Sequence, residues 1–81
     1  MNAPVTNNLR KLRQERHMTM WDVANRLGLR SVNRVSLWER GLLYPHVLNF
    51  LKLLAIYGVS AEDVYSGLAE PTREPAQESL Q

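Results

Sequence analysis

The sequence predicts an all-α fold, a compact five-helix bundle, and three observations carry that expectation. Apolar side chains recur at the three- and four-residue spacing of a helix face. Glycines stand where three of these stretches end, at 28, 41 and 58, each able to supply the left-handed residue at which a helix stops. Strand-like alternation of apolar and polar residues does not survive beyond a few positions.

The elements follow in order. Residues 1–5 carry Pro4 and no periodicity, and read as a flexible N-terminal arm. Thr6 or Asn7 caps a first helix running to about Arg16, with Leu9 and Leu12 inward and Arg10, Lys11, Gln14 and Glu15 outward. His17 closes it, where a histidine favours the negative end of the helix dipole. Thr19 stands three residues before Asp22, the spacing of a capping box, and opens a second helix whose inner face is Val23, Ala24 and Leu27. Gly28 stops it. Ser31 caps a third helix, with Val35 and Trp38 as its buried face and Gly41 as its end. Two helices joined by three or four residues around a glycine form a helix-turn-helix. The start of its second helix, Val32-Asn33-Arg34, is then turned outward.

After Leu42-Leu43-Tyr44-Pro45, where the proline blocks helix continuation, a fourth helix spans His46 to Tyr57. Val47, Phe50, Leu51, Leu54 and Tyr57 give it an apolar face that Leu53 and Ile56 widen, so it is expected to be the most buried of the set. Ser60 and Asp63 repeat the capping box and open a short fifth helix through Val64 and Tyr65 to about Ser66. Residues 67–81 turn to Pro, Glu, Gln and Ser, the composition of a disordered tail. One domain over residues 6–66 is expected.

Composition narrows the function. The 81 residues include no cysteine, so neither a disulfide framework nor a thiolate metal site is available. No apolar run approaches membrane-spanning length, and a cytoplasmic protein is the expectation. Eight of the ten basic side chains lie in residues 1–40 against three acids, whereas residues 41–81 carry two against five. A one-faced binder of a polyanion has this asymmetry. His17 and His46 are far apart and have no carboxylate at ligand spacing, so no metal is expected. With no phosphate-cradling glycine loop, nucleophile elbow or paired acid in an apolar setting, neither catalysis nor a cofactor is expected.

Leu9-x-x-Leu12-Arg13, Met18-Thr19, Val23-Ala24-x-x-Leu27-Gly28 and Val35-Ser36-x-Trp38-Glu39-Arg40-Gly41, followed by Pro45, Leu51-Lys52-Leu53 and Tyr57-Gly58-Val59-Ser60, lie in unbroken order from Leu9 to Tyr65. In these motifs the chain resembles the Cro/repressor type of helix-turn-helix domain, the Xre family, with a lambda-repressor-like fold. The resemblance implies a transcriptional regulator, encoded by a bacterium, phage or mobile element, that binds double-stranded DNA at a palindromic operator as a homodimer. It also implies a largely buried ion pair between Arg13 and Glu39. The sequence departs from the family pattern in three places. The turn Leu29-Arg30-Ser31 is one residue longer. Met20 replaces a glutamine that anchors phosphate, and Leu42 and Leu43 follow the glycine stop where basic or polar residues are common.

Within such a fold Asn33 and Arg34 are candidates to read adenine and guanine edges, with Ser36 and Val32 beside them, Val32 against a thymine methyl. Arg40, Arg30, Arg10 and Lys11 are candidates for phosphate. Trp38 is expected in the core. Trp21 is expected to be exposed, near the DNA backbone or on a partner. A rival reading is a helix-turn-helix used as a protein-interaction adaptor or antitoxin-like partner. It draws on the apolar excess at Met20, Trp21, Leu37, Leu42, Leu43 and Leu48, with Leu42, Leu43 and Trp21 as the contact surface. Leu42 and Leu43 folded back onto the fourth helix as core is the alternative for that pair.

Overall fold

A computed structural model describes residues 6–66, and every regular element in that span is helical. The helices are α1 (Leu9–Glu15), α2 (Met20–Leu27), α3 (Asn33–Glu39), α4 (Val47–Tyr57) and α5 (Ala61–Val64). The arm expected over residues 1–5 and the tail expected over residues 67–81 lie outside the described residues.

The helix ends show how local sequence sets the architecture. The Thr19 hydroxyl accepts from the Asp22 amide at 3.0 Å while the Asp22 carboxylate accepts from the Thr19 amide at 2.7 Å, completing the capping box. These bonds to Thr19 hold the Asp22 carboxyl below its ordinary range. A cap of this kind contributes ~1 kcal/mol. Gly28, at φ 76°, turns the chain so that the Leu29 amide reaches the Ala24 carbonyl at 2.8 Å. Ser60 and Asp63 form the second box, and α5 ends at Val64, two residues short of the expected Ser66.

Two starts differ from expectation. Asn7 Oδ1 accepts from the Leu9 amide at 2.9 Å, but the cap position itself is Asn8. Asn8 is held instead by α5, its amide donating to the Val64 carbonyl at 2.9 Å and its side-chain Nδ2 to the Asp63 carbonyl at 2.7 Å. At α3 the cap position is Val32, one residue beyond the expected Ser31, whose hydroxyl accepts only from the Asn33 amide at 3.3 Å. The third helix is thus Asn33–Glu39 with Val32 at its threshold. His17 adopts φ 55°, the left-handed region that asparagine and glycine usually occupy, and sends the chain into Met18.

The core comprises Leu9 and Leu12 of α1, Val23, Ala24 and Leu27 of α2, Val35 and Trp38 of α3, Leu53 and Tyr57 of α4, and Val64 of α5. Burial of each large side chain here contributes roughly 1.5–3 kcal/mol. The segment α2 packs against both α3 and α4, and α1 packs against α3.

The packing of α4 corrects the sequence reading. Its buried line is Asn49, Leu53 and Tyr57, whereas Val47 and Leu51, expected inside, are 70% and 55% exposed, as is Leu48 at 64%. The helix is apolar on nearly every side, so periodicity alone does not fix which side faces α2. Asn49 is accommodated inside with its amide Nδ2 3.4 Å from the His46 ring Nε2. Leu42 and Leu43 also remain exposed and are not core.

Arg16, which composition marks only as a surface charge, ties α1 to the end of α4. Its Nε donates to the Tyr57 carbonyl at 2.8 Å and its Nη1 to the Leu12 carbonyl at 2.9 Å, satisfying carbonyls near two helix ends. The guanidinium lies 5.8 Å from the Tyr57 ring centroid. Burial, reinforced by the Glu39 charge, pushes the Tyr57 phenol from 10.0 up to about 12, against the opposing effect of Arg13 and Arg16. Folding therefore favours the protonated phenol. Its contribution is complete below pH 10, where the unfolded side chain still holds its proton, and is lost as pH rises towards 12. Thermal melts of the wild type and Tyr57→Phe across that range are expected to diverge. The wild type should lose up to about 1.4 kcal/mol per pH unit more than the variant. Parallel pH profiles would contradict this.

Candidate nucleic-acid interface

The position of α3 follows from what its inner side engages. Val35 and Trp38 are each 2% exposed and point into the core. At roughly 100° per residue the opposite side of the helix carries Asn33, Ser36, Leu37 and Arg40. Asn33 and Arg40 are exposed, while Ser36 and Leu37 are half-buried. Arg34 is exposed as well, but on the flank of α3 that faces the turn before α4. There it lines a hollow of about 220 Å³ with Trp38, Leu43, Tyr44, His46 and Asn49. Val32 is half-buried and packs against the core.

Two further hollows flank the start and the length of α3. One, of about 330 Å³, is formed by the turn itself: Gly28, Leu29, Arg30, Ser31 and Arg34. Arg30 of the turn and Arg34 of α3 both line it. The other, of about 190 Å³, lies between α1, α2 and α3 and is lined by Arg10, Arg13, Met20, Ser36, Glu39 and Arg40. It joins Arg10 to Arg40. Lys11 is exposed on α1 but lines neither hollow. Met20, at the head of α2, contributes a thioether in place of an amide, so it offers no donor to an anion.

Arg13 and Glu39 form the floor of that second hollow. Arg13 Nε lies 2.6 Å from Glu39 Oε2, and Nη2 donates to Oε1 at 3.1 Å, a bidentate pair. The Nη1 group donates to the Met18 carbonyl at 3.0 Å. The two side chains are 10% and 6% exposed. The hydrogen bond to Glu39 raises the already high guanidinium pKa against the opposing effect of burial, so Arg13 stays charged. The pair clamps the end of α3 to α1. Asn7 Nδ2 adds a bond to the Trp38 carbonyl at 2.9 Å from the same side.

Residues 9–64 match the helix-turn-helix family profile, more than half of the chain. The chain belongs to this family, the Xre or lambda-repressor-like type. Neither the curated protein sequences nor the solved structures contain a match. The family is one of DNA-binding helix-turn-helix domains typical of transcriptional regulators. Within this helix-turn-helix domain α2 and α3 are the paired helices and α3 is the second member. Among the described residues no helix is long and apolar enough to cross a membrane.

Leu37 was not among the base-facing candidates in the sequence, where it counted only as surplus apolar surface. Its signal was there: it falls four residues after Asn33 and three before Arg40, on the face those two define.

Proposed function

We propose that this helix-turn-helix domain is a sequence-specific transcriptional regulator, a repressor, that binds a palindromic operator as a homodimer. The observation that carries the reading is the outward face of α3 opposite Val35 and Trp38, where Asn33, Ser36 and Arg40 stand with Leu37, and the arginines that line the hollows on either side. In this reading α3 enters the major groove. Asn33 pairs with an adenine edge, and Arg34, reaching from the flank, forks onto guanine. Ser36, Leu37 and Val32 complete the surface, the two apolar residues against thymine methyls. Arg30 and Arg40 engage phosphates on opposite sides of the groove, with Arg10 and Lys11 adding charge from α1. The protein acts by occupancy and not by catalysis, in the cytoplasm where bacterial or phage DNA lies.

A dimer follows from footprint. One seven-residue recognition helix covers few base pairs, too few for strong selection among genomic sites. Two copies about a two-fold axis read half-sites ~34 Å apart. Use of the fold as a protein-interaction adaptor is favoured by one observation, the exposure of Trp21 at 52% with Leu42 at 54% and Leu43 at 46%. Selection of bound sequences from a random duplex pool separates the two. A regulator enriches an inverted repeat with half-sites one helical turn apart, whereas an adaptor enriches nothing.

A further inference from the structure

The hollow between α3 and the start of α4, about 220 Å³, is walled by Arg34, Trp38, Leu43, Tyr44, His46 and Asn49. Its polar groups are an exposed guanidinium, an imidazole, a phenol and a buried amide, with no carboxylate among them. The hollow beside α1 differs, since the Glu39 carboxylate there already answers the charge of Arg13. Asn49 is the informative side chain. It is 7% exposed, its Nδ2 meets only the His46 Nε2, at 3.4 Å, and its Oδ1 has no hydrogen bond among the described residues. That separation is longer than the ~2.7–3.2 Å of a well-made bond. Whichever way the amide is turned, one of its polar atoms is left without a partner at the wall of the hollow. The helix α4 also begins here without a side-chain cap, so the positive end of its dipole lies at the same place.

We propose that this hollow seats a small free oxyanion of phosphate size, and that the seated anion draws Arg34 away from DNA. The competition rests on the base reading assigned to Arg34 above, whereas the seat itself does not. The donor set selects the charge of the ligand. The guanidinium and the Asn49 Nδ2 can donate to one anion while the Asn49 Oδ1 accepts from the His46 Nε2–H, which gives both amide atoms a partner. A cation would meet Arg34 at close range, and an apolar ligand would leave the amide unmet. The volume selects size, being below the ~300–1,000 Å³ of sites for drug-sized ligands. The coupling follows from geometry, because a guanidinium fork engaged by the anion is not available to guanine O6 and N7. Negative charge at that point also repels an approaching duplex. A phosphate of the DNA backbone offers the same chemistry, and the two arms of the test separate the sources.

The first arm uses the full chain without DNA, titrated with sodium phosphate against sodium chloride at constant pH and ionic strength. The side-chain amide signals of Asn49 in proton–nitrogen NMR spectra should shift saturably. Arg34→Ala, an exposed substitution outside the core, should weaken that binding about tenfold or more, the effect of losing one hydrogen bond to a charged group. The second arm adds the duplex enriched by selection. With phosphate at about ten times its dissociation constant, the affinity of the wild type for the duplex should fall about tenfold. Asn49→Ala, its fold checked by circular dichroism, should lose that sensitivity while still binding the duplex. If the free protein shows no saturable response to phosphate, the seat is overturned, and a uniform loss of duplex affinity in Asn49→Ala would then assign the hollow to a backbone phosphate. If phosphate binds the free protein but leaves duplex affinity unchanged, the competition is overturned. Failure of the base reading is distinguishable from both, because it shows in Arg34→Ala against duplex variants and leaves phosphate binding to the free wild-type protein intact.

Discussion

Glu39→Ala is expected to lower the stability of the domain by ~3–5 kcal/mol, since it leaves the Arg13 guanidinium buried without its counter-charge. The geometry sets the size of the effect. The pair is bidentate, both side chains are at most 10% exposed, and Arg13 retains only the Met18 carbonyl once the carboxylate is gone. An exposed pair with the same charges contributes only ~0–1 kcal/mol. A domain of this size has a total stability of ~5–15 kcal/mol at best, so the variant should be visibly less folded at room temperature. The double variant Arg13→Met with Glu39→Leu should regain most of the loss, because it removes both charges and keeps the volume. Urea unfolding followed by helical circular dichroism measures all three proteins. A loss below about 1 kcal/mol for Glu39→Ala would show that the pair does not hold α3 against α1.

Arg34→Ala and Arg40→Ala are expected to damage DNA binding in different ways. A guanidinium forked onto guanine discriminates against the other bases by ~1–3 kcal/mol, so Arg34→Ala should relax preference at one base pair of each half-site. Arg40 lies two turns along the outward face of α3, beside Arg10, where a phosphate is the available partner. Its removal should weaken binding to all sequences alike and reduce the salt slope by about one unit. Affinities for the selected duplex and its single-substitution variants, measured at several salt concentrations, separate the two. An equal and uniform loss in both variants would contradict base reading by Arg34.

Much of the domain was legible in the sequence, for physical reasons that differ by residue. The α2 boundaries were readable because Thr19, Asp22 and Gly28 satisfy helix-end groups through local bonds that need no tertiary context. Trp38 was readable as core because it stands one step from Val35 on a helix with a polar opposite side. The orientation of α4 was not readable. Its apolar residues surround the helix, and the side that faces inward is chosen by contact with α2, which places Asn49 inside and Val47 outside. Nor was the role of Arg16 readable, since its partner, the Tyr57 carbonyl, is a backbone group 41 residues away. In the candidate interface, Asn33 and Arg40 could be placed from spacing. The flank position of Arg34 depends on how the turn Leu43–His46 lies against α3.

Base-sequence reading by α3 is probed by competitive titration of the wild-type protein against two duplexes. One duplex carries the inverted repeat enriched by selection and the other a scramble of the same composition, both at the same salt concentration. A sequence-reading α3 gives at least ~10³-fold tighter binding to the repeat, with both affinities falling as salt rises. Equal affinity for the two duplexes would contradict it.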